Sequence, residues 1–284
     1  MSGAAPWPGG ARGALNLTFD NLGEAAELEM GALPADAPLG GHETALEVLP
    51  RLLGQLGDRK LAATFFVEGL NAEIYPDLLR EVDGRGHEVA LHAWRHERWA
   101  ELTAAEQAAN LERGLAAFRQ LGLEIAGLRP PGGQLGEGGI GVLRDAGLRY
   151  CSPAGAGAGF EDGVALLPFQ WRHVDASCVL PPLGSAREQI TGSRDPIEPA
   201  RFGAWLAAEI DMLARDGGCM TIVLHPFMLG WLGEEALSAL LDRVADAAAG
   251  EEIWVARCAD AADHIAAHPG DFGNGAVLDT ASWT

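Results

Sequence analysis

The sequence predicts an α/β fold, specifically a (β/α) barrel that is distorted or incomplete, on three observations. At least six short β-prone runs alternate with helical patterns along the 284 residues. The runs, for example Leu61-Ala62-Ala63-Thr64-Phe65-Phe66-Val67 and Cys219-Met220-Thr221-Ile222-Val223-Leu224, are continuously apolar, as strands buried on both faces are. Neither a glycine-rich dinucleotide fingerprint nor a phosphate loop follows any of them, which argues for a barrel over an open nucleotide-binding sheet.

The apolar share, 48%, supports one large core. We expect a single domain over residues 14–269, an irregular N-terminal segment over 1–13 and a C-terminal tail over 270–284. Forty acidic against 20 basic side chains give a net charge of -20, which disfavours nucleic acid or an anionic membrane as partner. No apolar run reaches the length of a membrane span, and no basic start leads into an apolar run at the N-terminus. The expected chain is therefore soluble and cytoplasmic, although a secreted protein trimmed of its signal would read the same. Cys151, Cys178, Cys219 and Cys258 are widely spread without a CxxC pair and read as reduced, buried thiols.

Taken in order, Ala14 to Phe19 reads as a strand that ends abruptly at Asp20-Asn21-Leu22-Gly23-Glu24. Active sites of parallel barrels form at such carboxyl ends, so Asp20 is either a functional group or a turn aspartate. His42 to Gly54 follows as a helix. Leu61 to Val67 is a buried strand leading into Glu68, and Pro76 to Asp83 a short helix. Glu88 to Leu91 is the next strand, with His92 and His96 just beyond it. Their i, i+4 separation puts two imidazoles on one side of a turn, within reach of one metal ion, while the plainer alternative is a pair of capping or surface histidines.

Thr103 to Gln120 is an amphipathic helix with Thr103 as cap and Glu106 at the capping-box position. Arg129-Pro130-Pro131-Gly132 makes a stiff turn after the crossing at 121–128. Helix, strand and a flexible Gly/Ala loop succeed one another to Gly159. The strand from Val164 presents Trp171, His173 and Asp175 near its end. Pro181 to Pro199 reads as a long polar connection, a candidate lid or interface. Phe202 to Arg215 is helical, Cys219 to Leu224 is a strand capped by His225-Pro226, and helix, strand and helix complete the chain to Ala267.

Thr18-Phe19-Asp20-Asn21, His92 with His96, Arg129-Pro130-Pro131-Gly132 and Leu224-His225-Pro226 together resemble the successive motifs of the polysaccharide deacetylase (NodB homology, carbohydrate esterase 4) family. The resemblance runs from about Leu15 to Ala267. Leu167 to Trp171 and Trp254-Val255-Ala256 look most like its peptidoglycan-deacetylase and allantoinase branch. It implies a NodB-type barrel and metal-assisted hydrolysis of a linear amide, commonly the N-acetyl group of an amino sugar. It further implies Asp20 as general base, His92 and His96 as metal ligands, Arg129 as the group that fixes the base, His225 as acid and Asp175 as the aspartate that orients it. The family's second aspartate, a metal ligand, is matched here by Asn21.

That exchange removes a negative charge from the metal shell. Asn21 could ligate through Oδ1, Asp20 could ligate instead, or Glu24 could supply a substitute carboxylate. A metal-free acid/base enzyme of allantoinase type, a non-hydrolytic enzyme and an inactive ligand-binding barrel also stay open. The expected cofactor is one divalent metal, zinc first, with cobalt, nickel or manganese as alternatives. The expected partner is a small cytoplasmic N-acyl amino sugar or related metabolite, and self-association into a homo-oligomer is anticipated. Trp94 and Trp171 could line the pocket or pack within the barrel, and Glu68 is a secondary pocket residue.

Overall fold

Strand β1 (Gly13–Asp20) is buried along its whole length and is the spine on which the other strands assemble. The structure, a computed structural model, describes residues 7–272 and 275–279, so the parts of the expected N-terminal segment and tail at 1–6, 273–274 and 280–284 lie outside the described residues. In chain order the strands after β1 are β2 (Thr64–Val67), β3 (Glu88–Leu91), β4 (Gly127–Leu128), β5 (Tyr150–Cys151), β6 (Gly155–Ala156), β7 (Gly159–Glu161), β8 (Val164–Leu166), β9 (Gly218–Leu224), β10 (Ile253–Val255) and β11 (Val277–Leu278).

β1 pairs in parallel with β9 on one side, and on the other with β10 at its start and β2 at its end. From β2 the sheet continues in parallel through β3, β4, β5 and β8, and β7 folds back antiparallel on β8. A parallel bridge from Val174 to Val223 brings the segment beyond β8 against β9. The sheet therefore curls towards closure without a complete ring of strands, the distorted, incomplete (β/α) barrel that the apolar runs predict. Helices such as Ala104–Gln120, Pro199–Asp216 and Glu234–Ala249 pack their leucine and phenylalanine faces on its outside. Thr103 caps the first of these with a complete capping box through Glu106, as the sequence predicts.

Period-two alternation sorts the strand residues into layers inside the barrel. At the amino-terminal rim, Glu88 accepts hydrogen bonds from Thr64 Oγ1 and Tyr150 Oη, each at 2.8 Å, and from the Ala259 N–H at the start of the helix Cys258–Ala267. His87 lies at that rim too, where its Nδ1 accepts the Ala63 N–H, which makes it a structural residue. The opposite rim carries Asp20, Glu68 and His92.

Two local readings change. The Pro181 to Pro199 segment contains a helix, Gly184–Thr191, whose apolar face is too short to show periodicity. Its anchor is a buried arginine: Arg187 donates to the carbonyl oxygens of Ser177 (2.7 Å), Leu180 (3.3 Å) and Arg194 (2.9 Å). The loop at 152–159 is partly strand, because β6 pairs with β11 from the C-terminal stretch. At the other end, Trp7 is buried against Phe272 and donates its Nε1–H to the Gly218 oxygen at 2.9 Å.

Candidate active site

Asp20 ends β1, and Arg129 follows β4. The guanidinium reaches across the barrel mouth and places Nη1 2.5 Å from Asp20 Oδ1 and 2.8 Å from Thr18 Oγ1. Nη2 and Nε bind Ser152 Oγ at 2.9 and 3.3 Å, and Ser152 in turn donates to the Leu167 oxygen. The plane of the guanidinium rests on the Phe66 ring at 4.0 Å, with Phe169 at 5.2 Å. Arg129 is thus a fully buried cation held by one carboxylate, two hydroxyls and aromatic faces. Burial drives the Asp20 pKa upward, Arg129 and His225 pull it back, and the net position is above the ordinary carboxylate value. An aspartate so placed is a stronger base than one in water.

His225 follows β9. Its N–H and Nδ1 meet the two oxygens of Asp175 at 2.7 and 2.6 Å, and Asp175 is fully buried. Burial works against charge on His225, but the attraction and hydrogen bond of Asp175, with Asp20 adding to them, raise its pKa above the ordinary imidazole value. His225 and Asp20 therefore act on one another electrostatically across the same mouth.

His92 and His96 lie with ring centroids 4.9 Å apart, edge to face. His92 Nδ1 is 2.8 Å from the Arg129 carbonyl oxygen, which can only accept. Nδ1 is therefore the protonated nitrogen and Nε2 carries the lone pair, the tautomer in which an imidazole can bind a metal through Nε2. Burial lowers both histidines, His92 well below 6.5 and His96 to about 4, so both are neutral near pH 7. The loop that holds them bends through left-handed backbone at Ala93 (φ 60°) and His96 (φ 75°). Asn21 shares that conformation (φ 63°), and its Oδ1 is buried without a hydrogen-bond partner.

Two imidazole nitrogens and an unpaired amide oxygen fit a divalent cation in kind, with zinc matching the nitrogen donors, and fall short in charge. Among the described residues no three His, Cys, Asp or Glu side chains stand together as a ready cation site. Glu24 has both oxygens engaged, Oε1 by the Gly40 and Gly41 N–H groups at 2.8 and 3.2 Å and Oε2 by Tyr75 Oη at 2.7 Å. It secures the loop that leaves the site. Glu68 is fully buried beyond β2, with Oε2 bound to the Leu22 N–H (3.3 Å) and to Asn71 Nδ2 (2.8 Å), and with Oε1 unpaired. Burial, with Asp20 adding to it, pushes its pKa up to about 8.

The two tryptophans part company. Trp94 is buried between helices, with the Arg113 guanidinium 3.8 Å over its ring and the Gly69 backbone so close that a Cβ there would lie 2.8 Å from the indole. Trp171 is half-buried and packs edge-on to Phe169 at 5.4 Å. With Arg172, Gln189 and Trp205 it lines a cavity of about 500 Å³ that also includes Phe169, the ring beside Arg129. Sequence reasoning missed Ser152, Phe66 and Phe169. A residue at the end of β5, in the same strand-end position as the motif residues, was the available signal for Ser152.

Residues 12–151 match the model of the polysaccharide deacetylase family. The peptidoglycan-N-acetylglucosamine deacetylase of Bacillus cereus is 29% identical over 93 residues, which are 32% of this chain and 34% of that protein, so the match spans about a third of the relative's length. A solved polysaccharide deacetylase-type structure from Mycobacterium smegmatis superimposes with a TM-score of 0.79 and 26% identity, covering 97% of this chain and 96% of the other. The fold is shared as well with Puue allantoinase, at a TM-score of 0.71, 20% identity and 95% coverage of both chains. A curled parallel barrel with the Asp20–Arg129 and Asp175–His225 pairs at its carboxyl rim defines the class, and over residues 12–151 this chain is similar to the polysaccharide deacetylase (NodB-homology) family. Among the described residues no helix is long and apolar enough to cross a membrane.

Proposed function

We propose that the protein is a hydrolase of linear amides that removes an acyl group, most simply acetyl, from a small amino sugar or related metabolite of the cytoplasm. The observation that carries this reading is the pairing of two opposite-acting dyads at one rim, Asp20 with Arg129 and Asp175 with His225. Asp20 takes a proton from the attacking water. His225, held charged by Asp175, gives its Nε2 proton to the departing amine nitrogen. Each group ends the cycle in the state the other needs at its start, and the proton balance closes through solvent exchange. Arg129 holds the Asp20 carboxylate at a fixed angle and keeps water from solvating it freely.

His92, His96 and Asn21 would hold a divalent cation, zinc by donor type, whose Lewis acidity supports attack at the scissile carbonyl. The cavity beside Trp171 suits the flat face of a sugar ring. The test is release of acetate and free amine from N-acetylated amino sugars, measured with and without added zinc or cobalt. Amine appearing in step with acetate supports the reading, and turnover of a substrate without amide cleavage contradicts it.

A further inference from the structure

One buried carboxylate has no task in that mechanism. Glu68 has no exposed surface, yet Oε1 meets no donor. A buried carboxylate oxygen left unpaired is costly, and such groups persist where a site uses them. Strand parity places it. Phe66 faces Ala90 across the β2–β3 register and carries the Arg129 guanidinium on its inner face. Glu68, two residues beyond Phe66, and His92, two beyond Ala90, therefore share the inward face at the next level up.

Backbone hydrogen bonds tie the neighbourhood together. The Gly69 and Leu70 N–H groups bind the Ala93 and Trp94 oxygens at 2.9 Å, which locks the Glu68 segment to the histidine turn. On the other side, Glu68 Oε2 accepts the N–H of Leu22, the residue after Asn21. Glu68 thus stands between the segment that carries Asn21 and the turn that carries His92 and His96. Asn21 Oδ1 is a second buried oxygen without a donor. Two buried oxygens without donors, on segments that the Leu22–Glu68 hydrogen bond joins, are groups that a cation would satisfy, and a cation beside Glu68 would favour its ionised form against the burial that raises its pKa.

We infer that Glu68 is the carboxylate that serves the His92–His96 cation site, the charge absent at Asn21 having moved one strand over, from the end of β1 to the end of β2. The inference rests on the cation-assisted reading of the site. The other carboxylates around the site have partners: Asp20 in Arg129, Asp175 in His225, Glu24 in Gly40, Gly41 and Tyr75, and Glu97 in the Trp94 and Arg95 N–H groups. Glu68 is a positioning residue, acting through the cation it balances, and no contact with the reacting atoms is assigned to it.

The test is calorimetric titration of the metal-stripped protein with zinc, and with cobalt for its visible absorption. Wild type, Glu68→Gln, Asn21→Asp and the double variant are compared, with near-ultraviolet circular dichroism to verify folding. Wild type should bind a single zinc ion, and Glu68→Gln should bind it at least ~10-fold more weakly, the scale on which groups supporting metal ligands act. Asn21→Asp placed on Glu68→Gln should recover that loss, since it returns a carboxylate to the end of β1. A purely structural role for Glu68 would show no such rescue. Zinc binding unchanged by Glu68→Gln, absence of rescue in the folded double variant, or no zinc binding by wild type would each overturn the inference. Acetate release by a protein that binds no zinc would do so while leaving the hydrolase reading intact. Glu68-dependent zinc binding without amide cleavage would do the reverse.

Discussion

His92 donates its Nδ1–H to the main-chain oxygen of Arg129 at 2.8 Å, while the side chain of the same arginine grips Asp20 at 2.5 Å. One residue thereby sets the tautomer of His92 and the angle of the Asp20 carboxylate. The two halves of the site, one from β3 and one from β1, are coupled through the turn after β4.

Arg129→Met should destabilise the fold by about 3–5 kcal/mol, because it leaves the Asp20 charge buried without its partner. Asp20→Asn added to that variant should restore part of the loss, since no charge then remains to be paired. Chemical denaturation of the four proteins of this cycle measures both quantities.

Activity should follow a bell-shaped pH profile. Asp20 must be ionised and its pKa is raised, so the acid limb should lie above 3.8, the ordinary aspartate value. His225 must be protonated and its pKa is raised above 6.5, so the alkaline limb should lie above that value. Asp175→Asn removes the charge that holds the proton on His225. It should move the alkaline limb to lower pH and reduce kcat by ~10²-fold or more, as loss of an acid/base contribution does. An alkaline limb unmoved by Asp175→Asn would show that another group sets it.

Stability should fall in acid through His87, at the rim away from the site. Burial lowers its pKa from 6.5 to about 4. The folded state therefore favours the neutral ring, and its contribution is complete above pH 6.5 and is lost as pH falls from 6.5 towards 4. At ~1.4 kcal/mol per pKa unit the change amounts to a few kcal/mol. His87→Asn keeps an acceptor for the Ala63 N–H and should flatten that part of the stability profile, as followed by thermal unfolding between pH 4 and 7.

Much of this architecture was legible in the sequence because it rests on local rules. Continuous apolar runs show strands buried on both faces, and polar residues directly after them mark the carboxyl rim, which is how Asp20, His92, Arg129 and His225 could be gathered before any coordinates. The Asp175–His225 contact joins residues 50 apart in the chain and follows from the same rim logic. What stayed hidden depends on contacts that no spacing records. Ser152, Phe66 and Phe169 surround Arg129 from three other strand ends or loops. The helix Gly184–Thr191 owes its place to a buried arginine rather than to an apolar stripe. The unpaired Oε1 of Glu68 emerges only when every other donor in the barrel mouth is accounted for.

That helix offers a further test, because its charged anchor satisfies three carbonyl oxygens at once. Arg187→Met should cost ~2–3 kcal/mol, in the range for charge-assisted hydrogen bonds left unmade, and should raise hydrogen exchange across 177–194 before the barrel strands are affected.

The central claim is that Asp20 is the base of an amide-cleaving site, and acetate release from N-acetylated amino sugars by wild type and by Asp20→Asn tests it most directly. The account predicts equimolar acetate and amine from wild type and a fall in kcat/KM of ~10²-fold or more in a folded Asp20→Asn variant, the scale of a lost general base. Full turnover by Asp20→Asn would contradict it.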